Sequence, residues 1–236
     1  MASGLCAGRF WFIIAVSTAI CAAPTPYGKK ANAMRHKGIQ EIETDRLILR
    51  RLTPQDAPAM YRNWASDPAV TKHLRWEPHE SAEKTAELLR AWAELYPNPD
   101  YYQWGFAEKA TGTLLGSLSV FDDGQTEGCA KALWRAEGLD FSDGVWMPGY
   151  CYGKTWWGRG YATEALAALA DYWFTQTDGQ WLACCHNIGN PASGRVMEHV
   201  GFVFDHEGID RKFDGTPVNC RYYLLTRTRW QALRQS

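Results

Sequence analysis

The sequence predicts an α/β fold in which a mixed sheet is covered by helices on both faces. Segments of strand alternation and segments of helical spacing are interspersed, but never in strict β–α–β succession, so a wholly parallel sheet is excluded. The chain has 236 residues, 46% of them hydrophobic, which suits one decorated α/β domain with a full core. No internal repeat or low-complexity stretch competes with that reading.

The elements follow in order. Arg9 and the apolar run Phe10 to Ala23 have the charge, length and small-residue end of a secretory signal, and the run is short for a membrane span. Translation starting at Met34, a cleaved targeting segment and a membrane anchor all fit this stretch. Pro24 to Gly38 is an aperiodic link. Residues 1–38 are therefore expected to be an extension and linker, and 39–236 the folded domain.

Glu41 to Leu52 alternates and reads as a first strand. Thr53-Pro54-Gln55-Asp56 is a helix start, with Met60, Tyr61 and Trp64 turned inward and a stop before Pro68. Ser81 opens a second helix carrying Leu88, Leu89, Trp92 and Leu95 and ending at Pro97. Tyr102 to Glu108 and Leu114 to Phe121 form a hairpin around Lys109 to Gly112. The polar segment at about 122–144, with a helical-looking piece from Cys129 to Glu137, reads as an insertion or lid. Strand Val145 to Tyr152 then leads through a Gly-rich turn into a helix reaching about Gln176. Strand Trp181 to His186, a helix from Pro191 to Val200 closed by Gly201, and strands near Phe202 to Ile209 and Arg221 to Thr226 complete the domain.

Bulk chemistry narrows the function classes. Twenty-five Lys and Arg against 26 Asp and Glu leave a net charge of −1, so nucleic acid is not an expected partner. Seven cysteines occur with no CxxC spacing, which points to neither a metal site nor a disulfide framework. Free thiols suit a reducing compartment, and the expected location is the cytoplasm. That conflicts with the signal-like start. No membrane partner is expected for the mature domain.

The chemistry-bearing stretch is WWGRGYATEA (Trp156 to Ala165). Glycines alternate where an extended run gives way to a helix, so several backbone N–H groups converge beside a helix N-terminus. That suits a phosphate-bearing cofactor held by the N–H groups of Gly158, Arg159, Gly160, Tyr161 and Ala162. The third glycine of a dinucleotide fingerprint is missing, and no GK[ST] follows, so those two motifs are excluded.

GYCYGKTWWGRGYATEA (Gly149 to Ala165) resembles motif A of the GNAT acetyltransferases, and NPASGRVMEHVGF (Asn190 to Phe202) resembles their motif B. ETDRLILRRLTPQDA (Glu43 to Ala57) and EKATGTLLGSLSV (Glu108 to Val120) are similar to the opening strand and central hairpin of the branch holding the ribosomal-protein-alanine N-acetyltransferases. The likeness runs from about Ile42 to Trp230. It implies a mostly antiparallel sheet, splayed between the strand before the Gly-rich turn and the next strand. It also implies acetyl-CoA as co-substrate without a metal, and acetyl transfer by direct attack of a primary amine on the thioester. The acceptor would be a protein N-terminus or a small amine, and the enzyme a monomer or homodimer.

By the same resemblance, the turn Trp157 to Ala162 binds the pyrophosphate, Asn190 contacts the cofactor arm, and Ser193 lies near the thioester sulfur as the leaving group's acid. Glu164 is the nearest candidate base, although a first-turn acid on a helix is also simply stabilised by the dipole. Glu77, His79, Asp143 and His186 are further candidate bases, and Trp76, Trp104, Trp146 and Tyr150 candidate acceptor-pocket residues. The chain departs from the family pattern at Thr155, at Met147, where relatives often carry an acid, and at Met197, where some carry an acidic Tyr. Those departures leave a catalytically weak or inactive CoA-binding domain as the alternative.

Overall fold

The computed structural model describes residues 34–122, 138–139 and 144–235. The signal-like start, most of the expected insertion and Asp143 lie outside the described residues. Among the described residues no helix is long and apolar enough to cross a membrane.

The expected first strand is two. β1 (Ile42–Glu43) and β2 (Leu47–Arg50) fold back on each other, pairing Ile42 with Leu49. The polar run Thr44 to Arg46 makes the turn, with Thr44 N bonded to Leu47 O at 2.9 Å. Thr53 and Pro54 begin a 3₁₀ turn (Pro54–Asp56) that continues as α1 (Ala57–Met60) and a π-helical turn (Tyr61–Ala65). Met60 and Trp64 are buried and Tyr61 is half-buried. Beyond the expected stop, Asp67 caps a short α2 (Pro68–Thr71). α3 (Ala82–Leu95) starts on Ser81, whose Oγ accepts from Lys84 N at 3.2 Å.

β3 (Tyr102–Glu108) and β4 (Leu114–Asp122) form the hairpin, and β5 (Trp146–Tyr152) pairs with β4. The five-stranded antiparallel sheet runs β1-β2-β3-β4-β5. One face presents Tyr102 and Trp104 to α4 (Tyr161–Gln176), where Tyr172 and Trp173 meet them edge-on at 5.5 Å. The other face carries Gly105, where an added Cβ would lie 2.4 Å from Leu52, and β4 there takes a 2.7 Å bond from Asn63 Nδ2 to Leu114 O. Helices thus cover both faces.

A second antiparallel sheet holds β6 (Trp181–Asn187), β8 (Pro217–Thr226) and β7 (Val203–Arg211), in the order β6-β8-β7. The hydrogen-bonded ladder therefore breaks between β5 and β6, where the family resemblance placed the splay. α5 (Pro191–Val200) lies between β6 and β7 in sequence and ends at Gly201, whose φ of 106° needs glycine. Thr226 caps α6 (Arg227–Leu233), a helix too short for its periodicity to stand out in the sequence. The Arg227 guanidinium ties down the end of α4, donating to the carbonyls of Phe174, Thr177 and Gly179.

Candidate functional site

β5 hands the chain to the turn at Gly153, where a Cβ would sit 2.4 Å from Asn63 O; only glycine fits there. A 3₁₀ turn (Lys154–Trp156) follows, and the exposed Trp157 anchors its indole by a 3.0 Å bond from Nε1 to Tyr152 O. Gly158 and Gly160 take φ of 73° and 80°, so the backbone doubles back around Arg159. Residues 157–160 are exposed, whereas Tyr161 and Ala162 are buried at the base of α4. Gly160 caps α4 without a side-chain bond, which leaves the first-turn N–H groups to an external acceptor. A Cβ at Gly158 would meet nothing within 4 Å, so the cradle is open outward.

Glu164 belongs to a clamp behind this cradle. Its carboxylate accepts from Thr44 Oγ1 at 2.5 Å, Arg46 N at 2.9 Å and Arg46 Nε at 2.6 Å. Arg46 reaches on with Nη1 to Arg159 O at 3.0 Å and lies 4.5 Å over the Tyr161 ring. Burial works against ionisation of Glu164, but the bonds from Thr44 and Arg46 outweigh it and hold the carboxyl below its usual range. Tyr161 OH donates to Glu108 Oε1 at 2.5 Å, tying the same turn to β3.

Across the splay, Asn190 stands at the N-cap of α5 with no side-chain cap bond, and its N donates to Asn187 O at 2.7 Å. One turn in, Ser193 meets Tyr150 of β5: Tyr150 OH lies 2.8 Å from Ser193 Oγ and 3.0 Å from Ser193 O. Burial pushes the Tyr150 phenol well above its ordinary value. The neighbouring Gly194 lets α5 rest on His186; an added Cβ there would be 2.7 Å from His186 Nε2 and 3.2 Å from Tyr223 OH. His186 is thus a packing residue, with Nδ1 2.8 Å from Asn187 O. Ser193 and Glu164 fall into separate networks. Tyr150, read from the sequence as a candidate acceptor-pocket residue, is Ser193's hydrogen-bond partner; its register opposite Leu118 in β4 gave no sign of that.

The other candidates are spread out. Glu77 pairs with Lys212 Nζ at 2.8 Å, and His79 Nδ1 sits 2.8 Å from Thr85 Oγ1, with burial lowering its pKa. Trp104 is fully buried against α4 and cannot line an acceptor pocket; Trp146 packs on His36, Tyr102 and Trp173. Trp76 lies 5.2 Å from the His79 ring. Met197, at the position where some relatives carry an acidic Tyr, is buried in the core, and Met147 is buried in the cluster between the sheets. Cys185, Asp210 and Cys220 converge within 4.8 Å, but both Asp210 oxygens already accept from the Arg75 guanidinium.

Comparisons with known proteins agree with this geometry. Residues 46–203 match the family model described as an acetyltransferase (GNAT) domain. The uncharacterized N-acetyltransferase YoaA of Bacillus subtilis is 28% identical over 191 residues, covering 80% of this chain and 97% of that protein. Among solved structures, the ribosomal-protein-S5-alanine acetyltransferase of Vibrio fischeri superposes with a TM-score of 0.60 at 17% identity, covering 81% of this chain and 99% of its own. RimL, a ribosomal L7/L12 alpha-N-protein acetyltransferase in complex with coenzyme A, gives 0.61 at 16% identity, covering 79% of this chain and 98% of its own.

Proposed function

The chain belongs to the GNAT acetyltransferases, a family of acyltransferases that use acetyl-CoA, and on that premise we propose that it acetylates a primary amine, with a protein N-terminus as the first acceptor class. The observation that carries the reading is the open, uncapped Gly158–Gly160 turn at the foot of α4, beside a sheet that splits after β5. The acceptor class is supported by the ribosomal-protein acetyltransferases among the similar folds. A small amine is the second class to test.

The residues present fit CoA. The N–H groups from Gly158 to Ala162 would take the pyrophosphate, with the Arg159 side chain adding a cation. The edge of β5 that has no ladder partner among the described residues would bond the amides of the cofactor arm, and Asn190 would contact that arm. Bound acetyl-CoA supplies an acetyl group activated as a thioester. Ser193 would offer a hydroxyl to the departing sulfur, and a β5 backbone N–H would polarise the carbonyl. Glu164, bonded to Thr44 and Arg46, positions the cradle. The amine gives its proton to water, so kcat/KM rises with pH toward the acceptor's own pKa. We place this reaction in the cytoplasm, where acetyl-CoA is available.

The test is direct. Acetyl-CoA at 100 times its Kd should stabilise the protein by about 2.7 kcal/mol, read as a rise in Tm. Peptides with free N-terminal Ala or Ser, and a panel of small amines, are then assayed for thiol release. No binding sinks the reading. Binding without thiol release by any amine favours a CoA-binding domain without turnover.

A further inference from the structure

Tyr150 has a hydroxyl in the interior that neither the cofactor cradle nor the Glu164 clamp uses. A phenol has one proton to donate, and two acceptors stand within reach. Ser193 O, at 3.0 Å, is only an acceptor; Ser193 Oγ, at 2.8 Å, both donates and accepts. With the Tyr150 proton on the carbonyl, the Ser193 proton points at Tyr150 Oη. In that arrangement Ser193 has nothing left to donate into the splay.

Turning the Tyr150 hydroxyl about its C–O bond moves its proton from Ser193 O to Ser193 Oγ, with no heavy atom displaced. The carbonyl is not orphaned, because Ser193 lies in the first turn of α5 and its C=O takes the helical bond from the Met197 N–H. We propose that Tyr150 is the positioning residue for Ser193: by switching its hydrogen bond to Oγ, it orients the Ser193 hydroxyl with its proton toward the sulfur of CoA and makes that hydroxyl a stronger donor. This rests on the reading that Ser193 faces that sulfur. No proton leaves Tyr150. Burial keeps its phenol protonated throughout the neutral range, so it donates at every working pH.

The experiment uses the full chain with CoA, and follows ionisation of the bound CoA thiol by its thiolate ultraviolet absorbance against a CoA-free reference. A hydrogen bond to a charged sulfur lowers the midpoint, so Ser193→Ala should raise it by about one pH unit. Tyr150→Phe should raise it by part of that amount, and should add nothing in a Ser193→Ala background. The double variant is decisive, because the bond from Tyr150 to the Ser193 carbonyl survives in Ser193→Ala. An equal shift from Tyr150→Phe in both backgrounds means a structural role and overturns the proposal, as does no shift in the single variant. If Ser193→Ala itself leaves the midpoint unmoved, the Ser193 reading fails, and this proposal with it. Should Tyr150→Phe not fold, a ring-fluorinated tyrosine at 150 keeps the shape and donates more strongly, and must lower the midpoint.

Discussion

Replacing Glu164 by Ala separates a holding role from a catalytic one. The carboxylate accepts three bonds, from Thr44 Oγ1, Arg46 N and Arg46 Nε, and its side chain is 19% exposed. A bond to a charged group is worth about 1.5–3 kcal/mol when sheltered. The Arg46 side chain is 46% exposed, so its ion pair is screened to at most about 1 kcal/mol. The loss should total about 2–3 kcal/mol once the exposed partners are partly repaid by water. For a domain of this size that is a fall in Tm of roughly 4–12 °C. Glu164 is held below its ordinary value in the folded protein, so its contribution is full above the unfolded carboxyl pKa and fades as pH falls through the lower folded value. Scanning calorimetry of wild type and Glu164→Ala should therefore show the full gap at neutral pH and a gap that narrows once pH falls below the usual carboxylate range. Equal melting at neutral pH would refute the clamp. Equal melting together with lost thiol release would make Glu164 the base instead.

Three further outcomes are expected. Gly158→Ala meets no atom within 4 Å but must adopt φ of 73°; it should lose about 1–2 kcal/mol of stability and weaken CoA binding at least tenfold by calorimetry, whereas unchanged affinity would remove the turn from the site. Gly194→Ala drives a Cβ to 2.7 Å from His186 Nε2, so overpacking should cost about 1–3 kcal/mol and shift α5, slowing thiol release; normal melting would mean that the His186 ring yields freely. Cys184, whose thiol burial pushes up to about 12, should resist iodoacetamide in the native protein at pH 8, with peptide mapping as the check, and prompt labelling would contradict its burial.

Local signals carried much of the architecture. The span of β3, the Ser81 cap of α3 and the Gly201 stop of α5 were legible because each depends on residues within a turn of itself. The first strand was overextended because only Leu47 and Leu49 alternate strictly, while Ile42 and Leu52 stand out of phase with them; the polar turn Thr44 to Arg46 lies at the first of those breaks. α2 and α6 were missed because four and seven residues give too few periods. For the site, the glycines announced the cradle through backbone conformation, but the bonds that hold Glu164 were not legible, because its partners, Thr44 and Arg46, lie 120 and 118 residues away.

By itself the sequence determined the family, most of the sheet-and-helix order from β3 to β8 and the Gly158–Gly160 turn, since motif spacing and glycine's access to positive φ are properties of short stretches. Which carboxylate is spent on structure, that Trp104 is core rather than pocket, and that Tyr150 stands against Ser193 were decided only by the tertiary fold. Each of those depends on a hydrogen bond or packing contact between segments distant in the chain, and no local period encodes such a meeting.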